Sequence, residues 1–485
     1  MIRRILFVAL LLLAAAVPAA AQQFVVISAN GKYLVNTTAG APQPVFLVAE
    51  QAFDLDQNLS DSDLEVYLAD RAARGINAIW MAAIDNSYSA NPPYDSQGNL
   101  PFVTADFTNM ASATAYWSQL DYVLGRLQAY GMTAILGVAF SGTPCTTITF
   151  PYAPNTHGNG GPSGYCTALS ATADATLTAY GAFLGARYAS YPNIIWLIGG
   201  DMDSTDSLAA KCAKIAAGIA SQDATHLIAA ESIRGQSPMD AWSGDAWLTL
   251  NGLYSTPSNM VTAARSEFAR SGALPLYMHE DYCDQEHSET PLGVREEAYW
   301  AVLSGANIGR DACIDPILTL GSGWQAALPS AATLVQQHLG ELLNSREHWL
   351  LQPDSSNAVL TGGIGSGSTI SVCACTSDGQ SCLVYDPIGS SQAPQIAMSH
   401  FSGTVHAWWF NPATGARTDL GTFTNSGTHT FTPADTNDWV LALDLAGAPL
   451  HPPGYGWIWS GQHAWRAVVS LSWTSGSWGG GNQWN

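Results

Sequence analysis

The stretch Asn193-Ile-Ile-Trp-Leu-Ile-Gly-Gly-Asp201 decides how the rest of the chain is read. Its centre, Ile194 to Ile198, is apolar on every position. Such a run suits a strand buried on both faces, the kind found in parallel sheets. Gly199 and Gly200 allow a tight turn and a close approach to the backbone. Asp201 then falls at the carboxyl end of a buried parallel strand, where barrels and open sheets keep their chemistry. Read alone, Asp201 stands equally well as the cap of a following helix.

Working outward, strands and helices alternate. Candidate strands are Val45–Glu50, Asn77–Ile84, Thr133–Phe140, Ile194–Ile198, His226–Glu231, Trp247–Tyr254, Leu274–Glu280 and Asn307–Gly309. Helical spacing of apolar residues recurs between them, as in Leu120, Val123, Leu124 and Leu127. Ser60-Asp-Ser-Asp63 has the form of a helix start. Eight strand–helix units over roughly 310 residues predict a (β/α)8 TIM barrel, because parallel neighbours need helical crossovers. A doubly wound open sheet is the alternative, but no Gly-rich dinucleotide loop follows the first strand.

Near Pro353 the pattern changes to short strands separated by turns such as Asp378-Gly379 and Asn411-Pro412. This predicts a small all-β sandwich. The expected organisation is a signal peptide over 1–21, a catalytic barrel over 22–353, a sandwich over 354–446 and a Gly/Ser/Trp-rich tail over 447–485. Tail tryptophans such as Trp457, Trp459 and Trp473 read either as packing on the sandwich or as a linker, ahead of sugar stacking.

The leader has Arg3 and Arg4, an apolar run from Ile5 to Val17 and small residues at Ala19–Ala21. These are the parts of a secretory signal, so secretion to the periplasm or beyond is expected. The eight cysteines then predict disulfides: Cys145–Cys166, Cys283–Cys313, Cys375–Cys382 and, by remainder, Cys212–Cys373. Cys373-Ala-Cys375 lacks zinc-ligand spacing, and neither metal nor cofactor is expected. The net charge of −21 disfavours nucleic acid and anionic membranes as partners. No later run is long enough to span a bilayer, and a monomer is expected.

If the barrel is right, strand-end residues gather on one face. They are Glu50, Asp85 with Asn86, Asp201, Glu231, Tyr254, and Glu280 with Tyr282 nearby; Trp80 and Trp196 lie among them. A ring of carboxylates with aromatic platforms suits glycoside hydrolysis, which needs one carboxyl to protonate the leaving oxygen and another to attack. Asp85 and Glu231 stand equally as salt-bridge partners. Glu50 reads as a sugar ligand or a hydrogen bond to a neighbouring strand end. His279 points to the opposite face from Glu280 in a regular strand.

Carboxylates ending strands four and seven resemble the large retaining glycosidase superfamily on this barrel. More closely, Tyr191–Asp201 and Leu274-Pro-Leu-Tyr-Met-His-Glu-Asp-Tyr282 resemble signature segments of the apiosidase-like glycoside hydrolases. Val45–Glu50, Arg71–Asn77 and Val294–Trp300 are similar to that family's neighbouring segments. The sandwich resembles the domain appended to it and often labelled as a collagen-binding domain of a collagenase. The resemblance implies Asp201 as acid/base, starting protonated, and Glu280 as nucleophile. The strand-end reading sets Glu50, Trp80, Asp85, Asn86, Trp196, Glu231, Tyr254 and Tyr282 around an oligosaccharide or polysaccharide substrate. Tyr282-Cys283 and Arg310-Asp311 depart from the family pattern, implying subsites unlike those for apiose. A non-catalytic carbohydrate- or matrix-binding protein is the second expectation.

Overall fold

The computed structural model describes residues 24–38, 42–85, 88–102, 107–140, 165–202, 208–280, 282–284, 289–448, 450, 452–454, 457–460 and 464–467. The leader, Asn86 and residues 141–164, with Cys145 and so the expected Cys145–Cys166 pairing, are outside them, as is the tail beyond 467. A small antiparallel sheet, Val26–Ile27, Leu34–Asn36 and Gln43–Val45, precedes the main body. Eight parallel strands follow and close on themselves. They are β1 Leu47–Gln51, β2 Ala78–Ala82, β3 Thr133–Gly137, β4 Ile194–Gly199, β5 Leu227–Glu231, β6 Leu250–Tyr254, β7 Leu276–Glu280 and β8 Gly309–Ala312. β8 pairs with β1 in register from Gly309 opposite Leu47 to Ala312 opposite Glu50, which completes the barrel.

The crossovers are helices. The main ones are α1 Asp61–Ala73, α2 Thr114–Ala129, α3 Asp174–Tyr188, α4 Leu208–Gln222, α5 Met260–Ala269, α6 Pro291–Leu303 and α7 Ala331–Asn344. α1 starts where Ser60 accepts a hydrogen bond from the Asp63 amide at 3.2 Å. It buries Leu64, Tyr67, Leu68 and Arg71 on one face. Side-chain alternation splits each strand between two cores. Leu47, Ala49, Trp80, Ile135, Ile195, Leu197 and Tyr277 fill the barrel, while Val48, Trp196, Ile198 and Met278 pack against the helices.

The second region has β9 Leu351–Pro353, β10 Leu360–Gly362, β11 Val372–Thr376, β12 Ser381–Asp386, β13 Gln395–Ala397, β14 Val405–Phe410, β15 Arg417–Phe423, β16 Thr428–Thr430 and β17 Trp439–Leu445. One sheet runs β9-β11-β12-β17-β14-β15 and the other β10-β13-β16. Both are antiparallel. Cys375 and Cys382 join the β11–β12 hairpin, and Cys283 joins Cys313 in the barrel. The Cys212–Cys373 pairing does not form. Cys212 is buried on α4, and Cys373 carries a buried free thiol on β11. A hairpin of Trp457–Ser460 with Ala464–Ala467 runs beside α1 and α7.

The central strands of the larger sheet, β11, β12 and β17, are buried on both sides. One face meets the smaller sheet through Val384, Trp409 and Leu441; the other turns Ala374, Tyr385 and Ala442 toward the barrel helices. α6 is the contact: Tyr299 stacks on Tyr385 at 4.9 Å, and Trp300 donates to the Ile370 carbonyl at 2.8 Å. Arg295 grips the Asp438 carboxylate with two bonds of 2.8 Å. Beside it, burial and then Asp438 push the half-buried Glu296 carboxyl up to about 7. A pKa raised in the folded state stabilises fully below the unfolded value, and that gain is lost as pH rises through the folded one. Glu296→Gln should therefore match wild type near pH 4 and exceed it at pH 8. The gain should be about 1–2 kcal/mol after solvent screening. Thermal melts of both proteins across that range check it.

Candidate active site

The mouth of the barrel is built where β4, β5 and β7 end. β4 closes with three successive left-handed residues: Gly199 at φ 99°, Gly200 at φ 116° and Asp201 at φ 44°. Glycine reaches these angles freely, and Asp tolerates them better than most residues. A Cβ on Gly199 would lie 2.3 Å from the Glu231 carbonyl oxygen, and one on Gly200 would lie 2.4 Å from the Phe140 ring. The chain thus turns against its neighbours and leaves Asp201 half-buried at the rim. Its backbone amide donates to Glu231 Oε1 at 3.1 Å.

Glu231 ends β5 and faces inward, in the same phase as Leu227 and Ala229. Its Oε2 lies 3.2 Å from His279 Nε2. His279 is buried, packs against Trp80 with tilted rings 4.5 Å apart, and shares a 2.8 Å hydrogen bond between Nδ1 and the Tyr277 hydroxyl. Gln51, inward on β1, lies 3.5 Å from the His279 carbonyl. The β6–β7 register shifts between Met278 and Glu280, so that Glu280 pairs with Tyr254. The shift brings the half-buried Glu280 carboxylate within 4.8 Å of both Glu231 and His279.

Two phenols complete the centre. Burial, and then Asp201, Asp85, Glu280 and Glu231, hold the Tyr88 hydroxyl well above its ordinary value. Tyr254 is pushed up by burial, then by Glu280 and Asp201, against the pull of Arg234. Both stay protonated beside these carboxylates and are available as donors. Asp85 is buried and accepts the amides of Tyr88 and Ser89 at 3.0 and 2.9 Å. Burial, with Asp85 nearby, raises the carboxyl of Asp54 beneath it. A small cleft opens here, lined by Trp80, Asp85, Tyr88, Phe140, Gly199 and Glu231 among others. Arg234 lies between the rings of Tyr254 and Tyr282, at 4.9 and 4.5 Å.

Residues 28–349 match the family model described as "Apiosidase-like, catalytic domain". The chain belongs to the apiosidase-like family. Residues 360–444 match the model described as "Putative collagen-binding domain of a collagenase". A solved glycoside hydrolase is 20% identical, with a TM-score of 0.73 over 88% of this chain and 97% of its own. A family 5 glycoside hydrolase from Bacteroides vulgatus ATCC 8482 is likewise 20% identical, with a TM-score of 0.74 over 90% and 96%. These two share the fold. No curated protein matches this apiosidase-like chain in sequence. The protein is a glycoside hydrolase.

In this apiosidase-like enzyme, Asp201, Glu280, Glu231, Asp85, Trp80, Tyr254 and Tyr282 are gathered at the mouth. Asn86 lies outside the described residues. Two expected substrate ligands are corrected. Glu50 faces the helices, fully buried, with Arg71 Nε at 2.6 Å and the Tyr67 hydroxyl at 2.9 Å. Trp196 also faces outward and donates to Asp223 Oδ2 at 2.9 Å. Neither reaches the mouth. His279, expected on the face opposite Glu280, joins it instead. Tyr88 and Arg234 went unread because they lie on loops without periodicity, although Arg234 falls three residues past Glu231; Phe140, expected as the last residue of the third strand, lies beyond its end at Gly137.

The glycine run gives a test of this apiosidase-like site. Gly200→Ala must displace the Phe140 ring or the turn, and either moves Asp201. A displacement near 1 Å costs about 10²-fold in kcat/KM. Strain of about 1–3 kcal/mol should accompany it. Steady-state kinetics beside a thermal melt measure both.

Proposed function

We propose that the chain is an exported, retaining glycosidase acting on a plant or microbial polysaccharide. Asp201 is the acid/base and Glu280 the nucleophile. Asp201 protonates the glycosidic oxygen as the leaving group departs, and Glu280 attacks the anomeric carbon to form a glycosyl-enzyme ester. Asp201 then takes a proton from water, whose oxygen displaces Glu280 and restores both carboxyls. Glu231 holds the Asp201 backbone, Trp80 offers a sugar platform, and Tyr88 and Tyr254 offer neutral donors. Tyr282 and Asp85 line the approach, and Asn86 is proposed as a further substrate ligand.

The observation that carries this reading is the meeting of strand-four and strand-seven carboxylates with two neutral phenols at one mouth. Two disulfides are compatible with export. The test is a screen of pectic and hemicellulose oligosaccharides, followed by proton NMR of the first anomer released. Retention is expected; initial release of the opposite anomer rejects the nucleophile role. The match over 360–444 favours a second reading, matrix or carbohydrate binding without turnover. Saturable glycan binding with no product from any member of the screen would replace the first reading by the second.

A further inference from the structure

Two buried side chains at the ends of β5 and β7 meet without a hydrogen bond between them, beside the Glu280 carboxylate. His279 is fully buried and Glu231 is 1% exposed. Their nearest atoms, Nε2 and Oε2, are 3.2 Å apart, yet neither atom has a hydrogen-bond partner among the described residues. The two are close but not aimed along one another's donor–acceptor axis. A carboxylate oxygen of Glu280 lies within 4.8 Å of both.

This is the arrangement of donors that share a third point. Two ligands about 2.0–2.1 Å from one tetrahedral Zn²⁺ sit roughly 3.3 Å from each other. The observed 3.2 Å separation fits that edge. Glu280 is half-buried at a strand end, so its side chain has room to close the remaining gap. The imidazole is also set for ligation. Its Nδ1 lies 2.8 Å from the Tyr277 hydroxyl, and the tautomer that donates from Nδ1 leaves the Nε2 lone pair free. Such an outer partner orients a ligating histidine and raises its basicity. One nitrogen with two carboxylate ligands suits Zn²⁺ or Co²⁺ over Mg²⁺ or Ca²⁺, which favour oxygen alone.

We propose that Glu231, His279 and Glu280 form a binding site for a divalent transition ion of the Zn²⁺ type, and that the bound ion blocks hydrolysis. The binding stands on geometry alone; the block rests on the glycosidase reading, because it withdraws the proposed nucleophile. A fourth position would hold water.

The experiment uses the full chain, stripped with a chelator and dialysed. It is titrated with ZnCl₂ by calorimetry and with CoCl₂ by visible absorption. One saturable ion per chain is expected, with the intense bands of four-coordinate Co²⁺ and no saturable heat from MgCl₂ at the same concentrations. Glu280→Gln should weaken Zn²⁺ binding at least about 10-fold, and His279→Gln by more. Glu280 is half-buried, so that variant keeps the test decisive if the His279 variant does not fold. Absence of saturable Zn²⁺ and Co²⁺ binding overturns the proposal, as does equal affinity in Glu280→Gln. Turnover that continues unchanged with Zn²⁺ bound overturns the block. Stoichiometric binding, lost in the variants, by a chain that cleaves no glycan keeps the site and rejects the glycosidase reading.

Discussion

Glu280→Gln yields a protein that folds and melts within a few degrees of wild type but loses kcat/KM by about 10⁴-fold or more. The amide is nearly isosteric and sits at a half-buried position, so packing changes little. What is lost is the charge that, in the proposed mechanism, attacks the anomeric carbon. An amide is a poor nucleophile and leaves no ester to hydrolyse. Steady-state kinetics on the substrate found by screening, with circular dichroism as the fold control, check this. Full activity in the variant would end the two-carboxylate assignment.

The largest effect on stability is expected from Arg71→Met. Arg71 is fully buried under the barrel wall, with Nε 2.6 Å from Glu50 and Nη1 donating to the Leu328 carbonyl at 3.0 Å. Burial raises the Glu50 carboxyl above its ordinary value, outweighing the opposing pull of Arg71 and Tyr67. Without Arg71 that carboxylate has lost its countercharge in an apolar setting, a loss of about 3–5 kcal/mol. Adding Glu50→Gln should recover a large part of it, because the uncompensated charge, not the missing contact, carries most of the cost. The single variant should also regain ground as pH falls, since Glu50 is raised further and protonates on folding. Chemical denaturation of wild type, both singles and the double, as a mutant cycle, measures each part. A single-variant loss below about 1 kcal/mol would contradict the burial argument.

The barrel was legible because parallel strands, buried on both faces, read as apolar runs; seven of the eight expected runs became strands, and the eighth strand, Gly309–Ala312, shares only Gly309 with the expected Asn307–Gly309. The carboxylates were legible as strand ends, but which way each points depends on phase. Leu47, Ala49 and Gln51 share the inward phase of β1, which leaves Glu50 outward. Ile195 and Leu197 do the same to Trp196. Counting alternate positions would have excluded both from the mouth. Phase alone would also have excluded Glu280, since Tyr277 and His279 share the inward phase. The irregularity between Met278 and Glu280 overrides it, and nothing in Tyr-Met-His-Glu announces that bulge. The Cys212–Cys373 pairing rested on subtraction, and subtraction holds no information about distance. Tyr88, Phe140 and Arg234 come from loops whose course is set by the barrel around them.

The face that the larger sheet turns toward α6 has a consequence for how the gene can be cut. A chain ended at Pro353 would leave Tyr299 and Trp300 bare, and Arg295 without Asp438. These residues lie on the segment joining β7, which carries Glu280, to β8. The sandwich is therefore a wall of the catalytic unit as well as an appendage. Shuffling it for another module would exchange part of the barrel's own foundation.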